Sequence, residues 1–211
     1  SPAEFIPLAE QTGLIQEIGR AIQDRTRRDI EAWRREGADL RTLRILTNVS
    51  GRQFESGEIE SIVERYLETE GLGPGQVVLE ITEPAILRAS AQIEDLRNLG
   101  ARILVDDFGT GHASLLRLRE LAIDGFKIDM SFVQGLGEGP ANRAVLEAML
   151  TLGRGLDLPV IAMGVEKDAQ REILEGMGCE LAQGYLFARP MERQDVPELL
   201  REGLRTGQTA G

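Results

Sequence analysis

RILVDDFGTGHASLLRLREL, residues 102–121, decides how the chain folds. Its apolar run, 103–105, stops on two adjacent carboxylates, Asp106 and Asp107; Gly109, Thr110 and Gly111 follow, and Ser114 opens an apolar pattern at helical spacing. That order reads as a buried strand, a tight loop and a helix start. Two carboxylates at a strand end repel each other and lose hydration, so they need a cation, a nearby Lys or Arg, or a shared proton. The plain alternative is that Asp106 caps the next helix and Asp107 is solvated.

Outward from this stretch the chain repeats one unit: a short run rich in Ile, Leu and Val, a polar residue, a loop, then a helical pattern. The runs are 43–50, 77–82, 102–108, 126–130, 159–165 and 181–187. Between them lie helical patterns such as Ile59, Ile62, Val63, Tyr66 and Leu67, and later Val145, Ala148, Met149 and Leu152. Pro84 falls where a first helical turn tolerates it, and Gly71 and Gly100 fall where helices stop. Six strands alternating with helices predict an α/β fold with a parallel sheet. Residues 1–36 contain a Pro-bearing entry and a helix with Ile15, Ile18, Ile22, Ile30 and Trp33 on one face. Its arginines alternate with acids and predict a solvated face. The chain opens on a helix, so a closed barrel of eight strands needs strand material upstream of Ser1.

Composition narrows the function classes. The 211 residues carry a formal net charge of -11, few aromatics and no basic stripe, which argues against a groove for polymeric nucleic acid. One cysteine, Cys179, and one histidine, His112, exclude an intrachain disulfide and argue against a zinc site of the usual kind. Cys179 reads as a small buried residue. No stretch is long enough to span a bilayer, and residues 1–10 do not form a signal peptide, so a cytoplasmic location without membrane contact is expected. The start on Ser1 and Pro2, without Met, suggests part of something longer. One domain over 1–205 is expected, with 206–211 a frayed tail.

In parallel α/β folds ligands bind at the carboxyl ends of the strands. Those ends carry Asn48, Glu80, Asp106 with Asp107, Lys127, Met163 with Glu166, and Gln183. Singly, each has an ordinary explanation as a turn residue, an ion-pair partner, a snorkelling lysine or a satisfied amide. Together, Asn48, Glu80, Asp106 and Asp107 form an all-oxygen set, which selects hard cations such as Mg²⁺, Mn²⁺ or Ca²⁺. Two such ions about 4 Å apart are the usual device for in-line attack of water on a phosphodiester. Lys127 would then hold the attacking hydroxide or neutralise a phosphate oxygen. The GTG turn is a weak dinucleotide fingerprint, lacking the second glycine and placing two carboxylates against a pyrophosphate.

The segments PAEFIPLAEQTGLI, NVSGRQF, LEITEPAIL, LVDDFGTGHASL, FKIDMSFV, GVEKDAQREIL and CELAQGYLFARPM occur in order over nearly the whole chain. Taken together they resemble the EAL family, bacterial domains that bind or hydrolyse the second messenger cyclic di-GMP. The resemblance implies a TIM-like (β/α)8 barrel with its first strand region truncated. It also implies hydrolysis of cyclic di-GMP to linear pGpG with two Mg²⁺ or Mn²⁺ ions. By position Asn48, Glu80, Asp106 and Asp107 become metal ligands, Lys127 positions the catalytic water, and Gln183 lies in the same site. Glu83 resembles the residue that fixes the loop after Asp107, a loop the family also uses for dimerisation. A homodimer and further domains of a longer protein are the implied partners.

Two departures from the pattern bear on activity. The name-giving Glu-Ala-Leu segment, whose glutamate is itself a metal ligand, would lie before Ser1. In AMGVE, Met163 stands where the family has the first glutamate of Ala-Glu-Gly-Val-Glu, which resembles the general base. A thioether neither takes a proton from water nor ligates Mg²⁺ usefully, and loss of a general base costs roughly 10² to 10⁴ in rate. Lys127 and Glu166 remain as catalytic candidates. His112 and Ala113 also depart from the family's usual Tyr and Ser, and read as loop or interface residues. The expectation is a cyclic di-GMP receptor with impaired hydrolysis; the alternatives are an active phosphodiesterase and an interaction domain without nucleotide binding.

Overall fold

A computed structural model describes residues 2–55, 57–69, 72–86, 90–110, 122–136 and 139–202. The loop residues Gly111, His112, Ala113 and Ser114, the helix stop Gly71 and the tail 206–211 lie outside them. Two helices come first, α1 (Pro2–Thr12) and α2 (Ile15–Arg35), separated at Gly13, whose φ of 83° suits glycine. The repeating part follows as β1 (Ile45–Val49), α3 (Gly51–Glu55), α4 (Ile59–Leu67), β2 (Val77–Thr82), α5 (Glu83–Ile86), α6 (Ser90–Leu99) and β3 (Arg102–Phe108). It continues with β4 (Gly125–Ile128), α7 (Met130–Gln134), α8 (Pro140–Leu156), β5 (Val160–Met163), α9 (Asp168–Gly176) and β6 (Leu181–Gln183). A 3-10 turn, Arg193–Asp195, leads into α10 (Val196–Glu202).

The six strands form one parallel sheet in sequence order, β1-β2-β3-β4-β5-β6. This is the α/β architecture read from the runs, an open part of a barrel; among the described residues nothing pairs with the outer edges of β1 and β6. Parallel strands covered on both faces are ordinarily apolar throughout. Here they alternate. Leu79, Ile81, Ile103, Val105, Phe126, Ile128 and Ala162 are fully buried and belong to one hydrophobic cluster with helix residues such as Ile62, Ile93, Leu96 and Leu146. The residues between them, Glu80, Asp106 and Lys127, point the other way by the period of two along each strand. The register sets Asn48 opposite Glu80, Asp106 opposite Thr82 and Met163 opposite Gln183.

Sequence periodicity and packing differ on α2. Ile22 stands 57% exposed, because the packed stripe runs through Gln23, Ile30 and Trp33 instead. Its arginines do lie on a solvated face, paired with acids one turn away, Arg25 with Asp29 and Arg27 with Glu31. Strand β6 is shorter than its apolar run, since the chain turns after Gln183.

The two ends of the chain meet in the helical layer. Trp33 Nε1 donates to the Arg193 carbonyl at 2.8 Å, and Arg193 pairs with Glu36 at 3.1 Å and with Asp29 at 4.0 Å. A neutral hydrogen bond of this kind contributes about 1 kcal/mol, and exposed ion pairs contribute less. Urea unfolding should therefore lose about 1 kcal/mol or more for Trp33→Phe and under about 0.5 kcal/mol for Arg193→Ala. Equal losses would assign the clasp to charge instead of to the indole.

Candidate functional site

The polar face of β2, β3 and β4 converges on one ammonium group. Lys127 Nζ lies 2.7 Å from Glu80 Oε1 and 3.6 Å from Asp106 Oδ1, and the three residues are 3%, 5% and 9% exposed. The strand pattern puts them there: Glu80 is the fourth residue of β2, Asp106 the fifth of β3 and Lys127 the third of β4, all on the face turned away from the helices. Burial drives the Glu80 carboxyl pKa up, and the hydrogen bond and charge of Lys127 oppose that rise. A pair this buried is costly to assemble and more costly to break.

Asp107 takes a different environment. The β3–β4 register slips between Val105 and Phe108, and Asp107 has a φ of 53°, in the left-handed region that a non-glycine residue rarely adopts. The kink re-aims a side chain that the strand period would send to the helical face. Its backbone N–H donates to Asp106 Oδ1 at 3.0 Å. The Asp107 pKa is raised by burial first, then by the charges of Asp106 and Asp129, and a hydrogen bond with Asp129 raises it further. Two of the three forms of compensation that adjacent carboxylates demand are thus present: a lysine for Asp106, and a neighbouring carboxyl able to share a proton with Asp107.

Asp129 is the residue that sequence reasoning missed. It stands two positions after Lys127, and its Oδ1 accepts from the Ser131 backbone N–H at 2.9 Å as the N-cap of α7. An Asp before Met-Ser is an ordinary helix cap, and that role concealed its nearness to Asp107. The spacing of Asp129 from Lys127 was the available signal.

The remaining candidates are placed around this group. Asn48 and Gln183 are both exposed on the outer strands, and Met163 is half-buried beside Gln183. Glu166 is exposed beyond β5, where its backbone N–H donates to Gln170 Oε1 at 2.9 Å. Glu83 is buried at the start of α5 and has polar partners; the loop expected to rest on it lies outside the described residues. Cys179 is buried, as its place before β6 suggested, with Sγ 3.3 Å from the Leu181 carbonyl oxygen.

The chemistry of the donor set suits a hard divalent cation: every donor is oxygen, and burial holds Glu80 and Asp107 toward protonation although the Lys127 charge opposes it. As they stand, no three His, Cys, Asp or Glu side chains among the described residues gather closely enough to hold an ion. Lys127 supplies the positive charge. Clefts of about 380 and 510 Å³ open at the opposite, amino ends of the strands, lined by residues such as Arg154 and Leu181 in one and Arg97 and Asp124 in the other. No described helix is long and apolar enough to cross a membrane.

These placements predict opposite effects of two substitutions. Lys127→Met leaves two buried carboxylates without their cation and should cost about 3 kcal/mol or more at pH 7 in chelator. Asp107→Asn removes a carboxylate whose pKa is raised on folding. Such a group favours the folded state only when protonated, and its contribution falls as pH rises from the unfolded pKa through the folded one. Asp107→Asn should therefore raise the thermal midpoint at pH 7, with the gain fading below about pH 4. A lowered midpoint at pH 7 would mean that the Asp107 charge is already compensated.

Similar proteins sharpen the meaning of this arrangement. The family model described as "EAL domain" matches residues 1–190. The bifunctional diguanylate cyclase/cyclic di-GMP phosphodiesterase MucR of Pseudomonas aeruginosa is 38% identical over 201 residues, 93% of this chain and 29% of that protein. The structure of the PaMucR phosphodiesterase in complex with c-di-GMP superposes with a TM-score of 0.85 at 36% identity, covering 93% of this chain and 80% of the other. The EAL domain of Mycobacterium smegmatis DcpA gives a TM-score of 0.83 at 32% identity, over 92% of this chain and 88% of the other. The chain thus spans less than a third of the curated relative's length.

Proposed function

The chain belongs to the EAL domain family, and from that premise we propose that it binds cyclic di-GMP at the carboxyl ends of β2, β3 and β4 and hydrolyses it weakly or not at all. It acts as a receptor in bacterial second-messenger signalling. A solved relative at 36% identity carries c-di-GMP on the same fold, which supports the ligand. The observation that carries the receptor reading is Met163. Its register partner is Gln183, so the β5–β6 side of the site offers a thioether and a neutral amide, neither of which takes a proton from water.

Lys127 is the cationic side chain that would face a phosphodiester, while Glu80 and Asp106 hold that lysine in place. Asn48, Glu80, Asp106 and Asp107 are the residues that would hold Mg²⁺ or Mn²⁺, which when bound would neutralise phosphate oxygens and activate water. Glu166 is the one carboxylate left beyond β5 among the residues proposed for the site, but it stands three residues past Met163, too far along the turn to replace it directly. The second reading, an active phosphodiesterase, is favoured by this retained oxygen set. An interaction domain without nucleotide binding is disfavoured, because three acidic side chains, Glu80, Asp106 and Asp107, beside one lysine cost stability for no return. A cytoplasmic location for this domain, dimerisation and the other domains of a longer signalling protein complete the proposal.

Calorimetric titration of cyclic di-GMP with Mg²⁺, Mn²⁺ or chelator, followed by chromatography for pGpG, tests it. Binding without product is expected. Met163→Glu, in a chain extended upstream to include the Glu-Ala-Leu segment, should then raise hydrolysis by roughly a hundredfold or more. Rapid metal-dependent product from the unaltered chain would establish the enzyme instead, and an unchanged rate in Met163→Glu would remove Met163 from the base position.

A further inference from the structure

Two short elements, α7 and the turn after β5, stand between the charged flank of the site and β6, and one buried side chain bonds to both. Gln170, 7% exposed, is the third residue of α9. Its Oε1 accepts from the backbone N–H groups of Glu166 and Lys167 at 2.9 and 3.0 Å, and its Nε2 donates to the Val133 carbonyl of α7 at 3.2 Å. A glutamine here that accepts from the N-cap N–H is an ordinary capping box, which explains the bond to Lys167. The bonds to Glu166 and Val133 go beyond it.

Helix α7 is tied to the carboxylates on one side and to the β5 turn on the other. Asp129 caps it through the Ser131 N–H, and Asp129 also shares a hydrogen bond with Asp107. At its first residue a Cβ built on Gly164 would stand 2.6 Å from the Met130 Cβ, and the φ of 74° at Gly164 likewise demands glycine. The turn is anchored to β6, where the Val165 N–H donates to the Gln183 carbonyl at 3.1 Å. Contacts thus run from Asp107 through Asp129, α7, Gln170 and the 164–167 turn to β6. A five-residue helix has few bonds of its own to resist displacement.

On the cyclic di-GMP reading given above, we infer that Gln170 is a positioning residue, which sets the separation of the Asp107–Asp129 side of the site from the β5–β6 side so that one nucleotide meets both. It acts through the backbone of Glu166 and Val133, from within the core. A ligand that spans two elements binds less tightly when their spacing has to be restored at binding. Gln76 makes the same kind of clamp at the opposite, amino end of the sheet: its Oε1 accepts from the Gly73 N–H at 2.9 Å, and its Nε2 donates to the Leu40 and Leu43 carbonyls at 2.6 and 2.7 Å. Its removal breaks as many hydrogen bonds without reaching the site.

Gln170→Met, Gln170→Glu and Gln76→Met are compared with the unaltered chain by calorimetric titration of cyclic di-GMP with Mg²⁺, and by amide hydrogen exchange without nucleotide. Gln170→Met loses all three bonds; Gln170→Glu, at about pH 8 where the carboxylate is ionised, keeps both acceptor contacts and loses the donor to Val133. In Gln170→Met the Ser131, Glu166 and Lys167 amides should exchange about tenfold faster or more, and cyclic di-GMP should bind about tenfold or more weakly. Gln170→Glu should keep the Glu166 and Lys167 amides protected yet lose Ser131 protection and nucleotide affinity, a separation that general destabilisation does not produce. Gln76→Met should lower the thermal midpoint and leave affinity within about twofold. Unchanged affinity in Gln170→Met, or an equal loss in Gln76→Met, overturns the positioning role; where Gln170→Met does not fold, unchanged affinity in Gln170→Glu does so. An unaltered chain that binds no cyclic di-GMP overturns the receptor reading, and unchanged Ser131 exchange in Gln170→Glu separately overturns the link to α7.

Discussion

The ion cluster of Lys127 with Glu80 and Asp106 is the constraint around which the sheet is organised. Three charged groups, all buried, sit on adjacent strands with 2.7 and 3.6 Å between the ammonium and the two carboxylates. Charges removed from water are tolerated only when they compensate one another, so the positions of β2, β3 and β4 relative to one another are tied to this contact. The alternation along those strands follows. Aliphatic residues face the helices and form the core; on the opposite face Val78 and Leu104 are joined by Glu80, Asp106 and Lys127, charged groups that an ordinary covered parallel sheet would exclude.

The kink at Asp107 is the second consequence. A regular strand would turn Asp106 and Asp107 to opposite faces, and the second carboxylate would then enter the apolar layer beside Val105 and Phe108. The register slip and the left-handed φ of Asp107 avert this and bring it toward Asp129. Local backbone strain is thus present at the place where negative charge is concentrated, as is common at ligand sites. The two flanks of the site differ accordingly. The β2–β4 flank is charged and tightly paired, whereas the β5–β6 flank carries Met163 and Gln183. A binding site with one ionised flank and one neutral flank grips an anionic ligand more readily than it drives proton transfer.

Much of this was legible in the residues. Strands β2 and β3 coincide with VVLEIT and RILVDDF because an apolar run bounded by turn residues has few other ways to fold, and Pro84 and Gly100 mark helix boundaries for the same local reason. The strand-end positions of Asn48, Glu80, Asp106, Lys127 and Gln183 follow from period and direction alone. Ile22 was misplaced, since periodicity states which residues share a helix face but not which part of that face another element covers.

Tertiary structure decided what the strand ends do to one another. That Lys127 spends its charge on Glu80 and Asp106, that Asp129 joins Asp107 while capping a helix, and that Met163 lies opposite Gln183 all depend on register and on distances between strands far apart in the chain. Local sequence fixes the direction in which each side chain leaves its strand through steric rules of a few residues. Electrostatic pairing depends on separations of a few ångströms between residues as distant in sequence as Glu80 and Lys127, and only the folded packing sets those.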